Sequence, residues 1–269
     1  MISSMYQRRM KAAFITSGVV FLIGGAAVLI DKPDSSDEWL KMLGIGLTSL
    51  FLLIIALVSW KQYMTVKDIH IPVTNTSIFD VDHLVLKKEV GLVPALLLFE
   101  KSGHFIGKIR PLRIPVWLYP LGLLLRDSFI TMLPITYGLW STKGKVLITF
   151  QRKGIWQARV TVKNAEGQNI GEYVQDDLKS MVAIKGLLKD EDGNTILPVR
   201  IKGLSGDFSL TDEAGRRWAY FDNGFFPHEY TNLFRDVKND IVHLSHDLSE
   251  NQKGLLLAMI GFIFLERSK

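Results

Sequence analysis

Two histidines and a carboxylate stand together near the C-terminus, as His243-x-x-His246-Asp247. Imidazoles three residues apart with an acid beside them can ligate a metal when a helix gathers them on one face. Asp240–Ser245 alternates like a strand instead, and a strand sends those two side chains to opposite faces. The spacing therefore predicts two surface histidines and no metal ligands. Gly203-Leu204-Ser205-Gly206 falls one residue short of the G-x-S-x-G nucleophile elbow. The adjacent carboxylates Asp176 and Asp177 lie in a polar stretch and read as solvent-facing. The chain has no cysteine, which excludes disulfides, Cys-based zinc or iron–sulfur sites and a thiol nucleophile. No catalytic constellation emerges, and the expectation is a protein that is not an enzyme and carries no cofactor.

The elements that position these residues divide by hydropathy. Among 269 residues, 48% are apolar and 22% charged, and the mean hydropathy is +0.18. That balance argues against disorder. Thirty-two Lys+Arg against 27 Asp+Glu leave +5, with a pI near 9.2, too mild to imply nucleic acid. Six of the basic and four of the acidic residues lie in residues 1–61, so the remainder carries only +3.

The surplus hydrophobicity is local. Ala12–Ile30 and Met42–Trp60 are uncharged runs of 19 residues each. Each spans about 28 Å as a helix, close to the roughly 30 Å of bilayer hydrocarbon. Arg8, Arg9 and Lys11 before the first run would also suit a signal peptide. A second run of equal length so soon after favours a transmembrane hairpin. The connection Asp31–Lys41 carries four acids against Lys32 and Lys41, whereas Lys61 and Lys67 follow the second run. The positive-inside rule then places both termini in the cytoplasm. Trp39, Trp60 and Tyr63 stand where interfacial aromatics belong. Gly18, Gly24, Gly25, Ala26, Ala27, Gly44 and Gly46 suit close helix contact, within the hairpin or between protomers. No G-x-x-x-G occurs among them, and ordinary glycine content of membrane helices explains them equally.

Residues 66–269 read as a separate, mainly-β domain after a hairpin of residues 1–65. Gly-centred turns fall at Gly103, Gly144, Gly154, Gly167, Gly193 and Gly215. Between them lie candidate strands Leu84–Lys87, Ala95–Glu100, Val146–Gln151, Gln157–Val162, Ser180–Leu187, Asp207–Leu210 and Trp218–Asp222. Many short strands at short intervals suggest a sandwich or barrel. Only Glu229–Val237 reads as a short helix or irregular connection before residue 245. A weak repeat joins Gly103–Lys108, Gly167–Glu172 and Gly215–Tyr220. Each has a turn glycine, two variable residues, a large apolar residue and a small one, the pattern of a hairpin with a close backbone approach.

Gly254–Leu265 is apolar all round and twelve residues long, too short to span a bilayer. A helix apolar on every side is buried in a protein. Ser249 with Gln252 three residues later forms a capping box. The helix should run over about residues 250–266. A mainly-β domain ending in such a helix needs a sheet that surrounds it, and a closed antiparallel barrel does so.

The domain resembles the tubby C-terminal-like superfamily, which also holds phospholipid scramblases and LURP-one-related proteins. The likeness rests on Phe99–Gly107, on Gly206–Leu210 followed by Gly215–Ala219, and on Ser249–Leu265. Asn223–Tyr230 with Asn239–Val242 is similar to a bacterial membrane-attached branch. The resemblance covers about residues 80–269 and implies a barrel of about twelve strands around a central hydrophobic helix. Tubby domains bind phosphoinositide headgroups through Lys/Arg pairs, but those positions are not matched here. Scramblases have a calcium-binding loop, and Asp190-x-Asp192-Gly193-Asn194 looks superficially similar. It places Gly fourth rather than sixth, so it reads as a turn. Scramblases place their membrane segment at the C-terminus, and here the apolar spans precede the barrel.

Pro111–Trp140 contains four prolines, Trp117, Tyr119, Tyr137, Trp140 and many Leu and Ile, with charge only at Arg113, Arg126 and Asp127. It reads either as two buried strands joined by an irregular loop or as a membrane-facing patch. In the second reading Lys108, Arg110 and Arg113, with Trp117 and Tyr119, contact anionic lipid headgroups. The expected protein is a non-enzymatic binding module of the cell (inner) membrane, with its barrel in the cytoplasm. Its expected partners are the bilayer, anionic phospholipid, a membrane protein or a second copy, and no nucleic acid. The alternatives are an assembly subunit of a membrane complex and a lipid-acting, scramblase-like protein.

Overall fold

Both uncharged runs form helices longer than themselves, because good helix formers flank them. Helix α1 covers Ile2–Ile30 and α2 covers Ser36–Val66. Ser35 caps α2 by accepting from the Glu38 N–H at 3.3 Å, and the Glu38 carboxylate accepts from the Asp34 N–H at 3.0 Å. The structure, a computed structural model, describes residues 2–68, 72–74, 76–89, 94–114, 133–154, 157–176, 183–202, 207–224 and 239–266. It forms two compact units, residues 1–70 and 71–269.

In the first unit, α1 and α2 are long and apolar enough to cross a membrane, with mean hydropathies of 2.3 and 2.4 over their most apolar windows. They run antiparallel. Ala13, Ser17 and Gly24 from α1 and Ser49, Ala56 and Ser59 from α2 are buried in this unit. The Ser17 hydroxyl donates to the Ser49 carbonyl at 2.8 Å, and the Ser49 hydroxyl donates to the Ser17 carbonyl at 3.0 Å. Gly24 permits the approach of α2: a Cβ there would stand 2.8 Å from Ile45 Cγ2. Gly18, Gly25, Gly44 and Gly46 face open space. One of the glycines thus serves a close contact within the hairpin, and these four do not.

The second unit is a twelve-stranded antiparallel sheet. Its strands are β1 (His83–Glu89), β2 (Ala95–Glu100), β3 (Phe105–Pro111), β4 (Thr136–Ser141), β5 (Val146–Lys153) and β6 (Ala158–Asn164). They continue as β7 (Asn169–Gln175), β8 (Ala183–Lys189), β9 (Thr195–Lys202), β10 (Phe208–Thr211), β11 (Arg217–Gly224) and β12 (Asn239–Leu244). The order is β10-β11-β12-β1 and then sequentially to β9. The sheet curls into a nearly closed barrel, with a seam between β9 and β10, which lie adjacent with no backbone ladder among the described residues. Two local causes fit this. β10 has only four residues, and Pro198 in β9 has no N–H to offer an outer neighbour.

Five hairpins, β2–β3, β4–β5, β6–β7, β8–β9 and β10–β11, lie at one end of the barrel and share one geometry. In each, the glycine N–H donates to the carbonyl three residues earlier, as from Gly103 to Glu100 at 2.8 Å and from Gly215 to Asp212 at 3.0 Å. All five glycines have φ between 78° and 84°. This is a type I turn followed by a left-handed glycine. The sixth expected turn, at Gly154, also has positive φ and lies at the opposite end. Gly171 in the repeat admits close approach, since a Cβ there would stand 2.2 Å from the Lys189 carbonyl oxygen.

Helix α3 (Glu250–Glu266) fills the barrel. Its capping box forms: the Gln252 N–H donates to Ser249 Oγ at 3.3 Å, and Gln252 Oε1 accepts from the Ser249 N–H at 3.0 Å. Every residue from Lys253 to Leu265 is buried. Tyr173, Phe221 and Ile109 reach it from three different strands. Gly261 is necessary there, because its Cβ would stand 2.5 Å from Ile109 Cδ1. Two observations go beyond the apolar pattern. Arg152 points inward from β5 and pairs with Glu266 at 2.7 Å. Lys253 is buried at the other end of α3.

Candidate functional site

Strand alternation gives β3 its two faces. Ile109 points at α3, so Lys108 and Arg110 point outward, side by side. β4 lies beside them, with Lys108 opposite Trp140 and Arg110 opposite Gly138. The Arg110 guanidinium carbon sits 4.4 Å from the centre of the Trp140 ring, a cation–π stack. Gly138 makes the room, since a Cβ there would stand 3.1 Å from Trp140 Nε1 and 3.0 Å from Leu112 Cδ2. Trp140 Nε1 is itself buried and has no acceptor among the described residues.

The electrostatics are those of an unneutralised cation pair. Burial and then the Arg110 charge hold the Lys108 ammonium below its usual range, against a smaller opposing effect of Glu89. Among the described residues neither Lys108 nor Arg110 has a salt bridge. The wall therefore presents two neighbouring cationic donors outward, the chemistry that attracts an anionic group. A phosphate or carboxylate beside the two cations would relieve their repulsion.

Of the five residues expected to contact lipid, the structure gathers Lys108 and Arg110. Arg113 lies past the end of β3 at an exposed position. Trp117 and Tyr119 lie outside the described residues, as do Arg126, Asp127, Asp177, Gly203–Gly206 and Glu229–Val237. The ends of Pro111–Trp140 are paired strands, with Pro111 opposite Tyr137, whose ring is buried and stacked on Phe150. Sequence reasoning missed the partnership of Trp140 with Arg110. Its signal was the alternation of Tyr137 and Leu139 with Gly138 and Trp140, which sets the tryptophan on the outer face.

The other expected sites resolve into local structure. His243 Nε2 lies 3.0 Å from Asp222 Oδ2, and His246 Nε2 lies 2.8 Å from Asp82 Oδ2. The two imidazoles thus serve different carboxylates. β12 ends at Leu244, so His246 is beyond the strand rather than on its opposite face. Asp190 accepts the N–H groups of Asp192 and Asn194 at 3.1 and 2.8 Å and closes its own turn. Ser102 Oγ lies 2.5 Å from His104 Nδ1 within a hairpin turn. No family model matches the chain, and no curated protein is similar to it.

Proposed function

We propose that this chain is a membrane-tethered, non-enzymatic binding module whose barrel wall takes acidic lipid headgroups at the cytoplasmic face of the cell membrane. The carrying observation is the outward cation pair Lys108 and Arg110, with Arg110 stacked on Trp140 and neither cation in a salt bridge among the described residues. The apolar helices α1 and α2 supply the tether, and the basic flanks of the hairpin support a cytoplasmic barrel. The resemblance to the tubby-like superfamily agrees with lipid recognition by a barrel of this kind.

Each basic residue beside an anionic surface contributes about 1 kcal/mol, screened by salt. Lys108→Gln with Arg110→Gln should therefore weaken binding by about 2 kcal/mol, roughly 30-fold. The test is a lipid inventory of the full-length protein, purified in mild detergent and read by mass spectrometry. Enrichment of anionic phospholipid, lost in the double variant, supports the reading. An unchanged inventory in the variant overturns it. A stoichiometric partner protein in place of lipid would point to an assembly subunit. Redistribution of labelled lipid between leaflets in proteoliposomes would point to a lipid-acting protein.

A further inference from the structure

Ahead of β1, residues 72–74 and 76–82 lie as a strap against the hairpin end of the barrel. Its attachments can be followed one by one. The Phe105 N–H donates to the Pro72 carbonyl at 3.0 Å, and the Thr74 N–H donates to the Phe105 carbonyl at 3.3 Å. Thr142, in the β4–β5 turn, donates to the Thr74 carbonyl at 3.5 Å. A single 3-10 turn, Ile78–Asp80, follows, and Ile78 is buried beside Gly107. The Lys253 ammonium of α3 donates to the Phe79 carbonyl at 2.6 Å. At the far end the Asp82 carbonyl accepts from the Leu244 N–H, and the Asp82 carboxylate meets His246.

The strap is thus held by a few separate polar contacts, two buried apolar side chains, Ile78 and Val81, and the partly buried Phe79. The strands beneath it share continuous ladders. Segments with few buried contacts open at lower free energy than the elements they cover.

Lys253 is the unexpected member. It sits in the first turn of α3, where the helix dipole disfavours a cation. It is buried and spends its charge on a backbone carbonyl of the strap. A methionine would fill the same space without the desolvation cost, so global stability does not explain a lysine at this position.

We propose that residues 76–82, with 72–74 ahead of them, form a latch, a segment that lifts from the hairpin end of the barrel while the barrel stays folded, with Lys253 as the pin joining it to the core helix. Opening uncovers the first turn of α3 and the socket of Ile78.

Hydrogen exchange followed by mass spectrometry on the full-length protein in nanodiscs tests this. In the wild-type protein, peptides covering the strap should exchange at least 100-fold faster than those of β5–β7. Lys253→Met should speed strap exchange a further tenfold or more and leave β5–β7 and residues 255–265 unchanged. Strap and strands exchanging at one common rate in the wild-type protein would overturn the latch. So would a variant whose strap exchange is unaltered, or whose strands accelerate equally with the strap. The wild-type comparison stands even if the variant does not fold.

Discussion

Two parts of this molecule are helices apolar on all sides, and they meet opposite fates. In α3 every residue from Lys253 to Leu265 is buried by strands. In α1, Phe21 is 68% exposed and Leu29 83% exposed. Composition hardly separates the two. Length does: the apolar run of α3 is about 18 Å long and that of α1 about 28 Å, against roughly 30 Å of hydrocarbon. A short apolar helix must find a protein jacket, and the twelve strands supply one. A long pair can leave most of its surface outward, packing only along a thin seam of Ser, Ala and Gly, and on the proposed reading lipid covers the rest.

The sharpest test of this contrast truncates one leucine in each region. Leu256→Ala, fully buried in α3, should cost about 4 kcal/mol, from lost burial and the cavity left behind. Leu22→Ala, 70% exposed on α1, should change the barrel by less than about 0.5 kcal/mol. Denaturant midpoints read from the barrel tryptophans compare them, and equal costs would break the distinction.

The helix ends differ as well. α3 ends against protein, with Glu266 on Arg152, a side chain only 3% exposed. Glu266→Ala should cost about 3 kcal/mol by taking the carboxylate from that buried charge, whereas Arg152→Leu with Glu266→Leu should recover most of the loss. Thermal unfolding of the single and double variants decides whether the pair is a matched unit.

A smaller effect is expected at the seam of α1 and α2. Ser17→Ala removes one interhelical hydrogen bond, to the Ser49 carbonyl, worth about 0.6 kcal/mol in a membrane setting, and leaves the bond from the Ser49 hydroxyl to the Ser17 carbonyl. Crosslinking yield between cysteines placed at Gly24 and Ile45 would report any loosening. A drop in barrel stability instead would mean that the seam is not local to the hairpin.

The smallest expected change follows pH. His83 stacks edge-on against His243 with ring centres 4.5 Å apart. Burial, then the neighbouring His243 and Lys101 charges, lower its pKa below 6.5, with Asp82 opposing. The neutral imidazole is the folded form, so the unfolded chain binds the proton more readily. Stability from this group is present above pH 6.5 and declines as pH falls from there toward the lower folded value. His83→Gln should flatten that part of a stability profile recorded between pH 5 and 7.5, and an unchanged slope would assign it to other groups.

Much of the barrel was legible because its turns are punctuated. Each of the six turn glycines read from the sequence has positive φ, a conformation that glycine alone adopts without strain. Ala95–Glu100 was read to the residue, and Val146–Gln151 fell two short because Arg152 and Lys153 break the apolar pattern. β9 was not read: Pro198 interrupts Thr195–Lys202, and only its place at the seam permits it. At the candidate site, Lys108 and Arg110 could be named from their spacing. Trp140 could not be attached to them, because 29 residues separate it from Arg110 and only the β3–β4 register closes that distance.

By itself the sequence determined what was governed by local chemistry: two apolar runs of membrane length, the glycine turns, the capped terminal helix and the basic flanks. These follow from periodicity, φ preferences and hydrophobic length, all of which act over a few residues. Only the tertiary structure decided what depends on closing the sheet. It brought the five hairpins to one end and aimed Arg152 inward at Glu266. It also drew Lys253 to the strap and stacked Arg110 on Trp140. Each is a contact between distant residues, fixed by strand register and barrel curvature, which no short window of the chain contains.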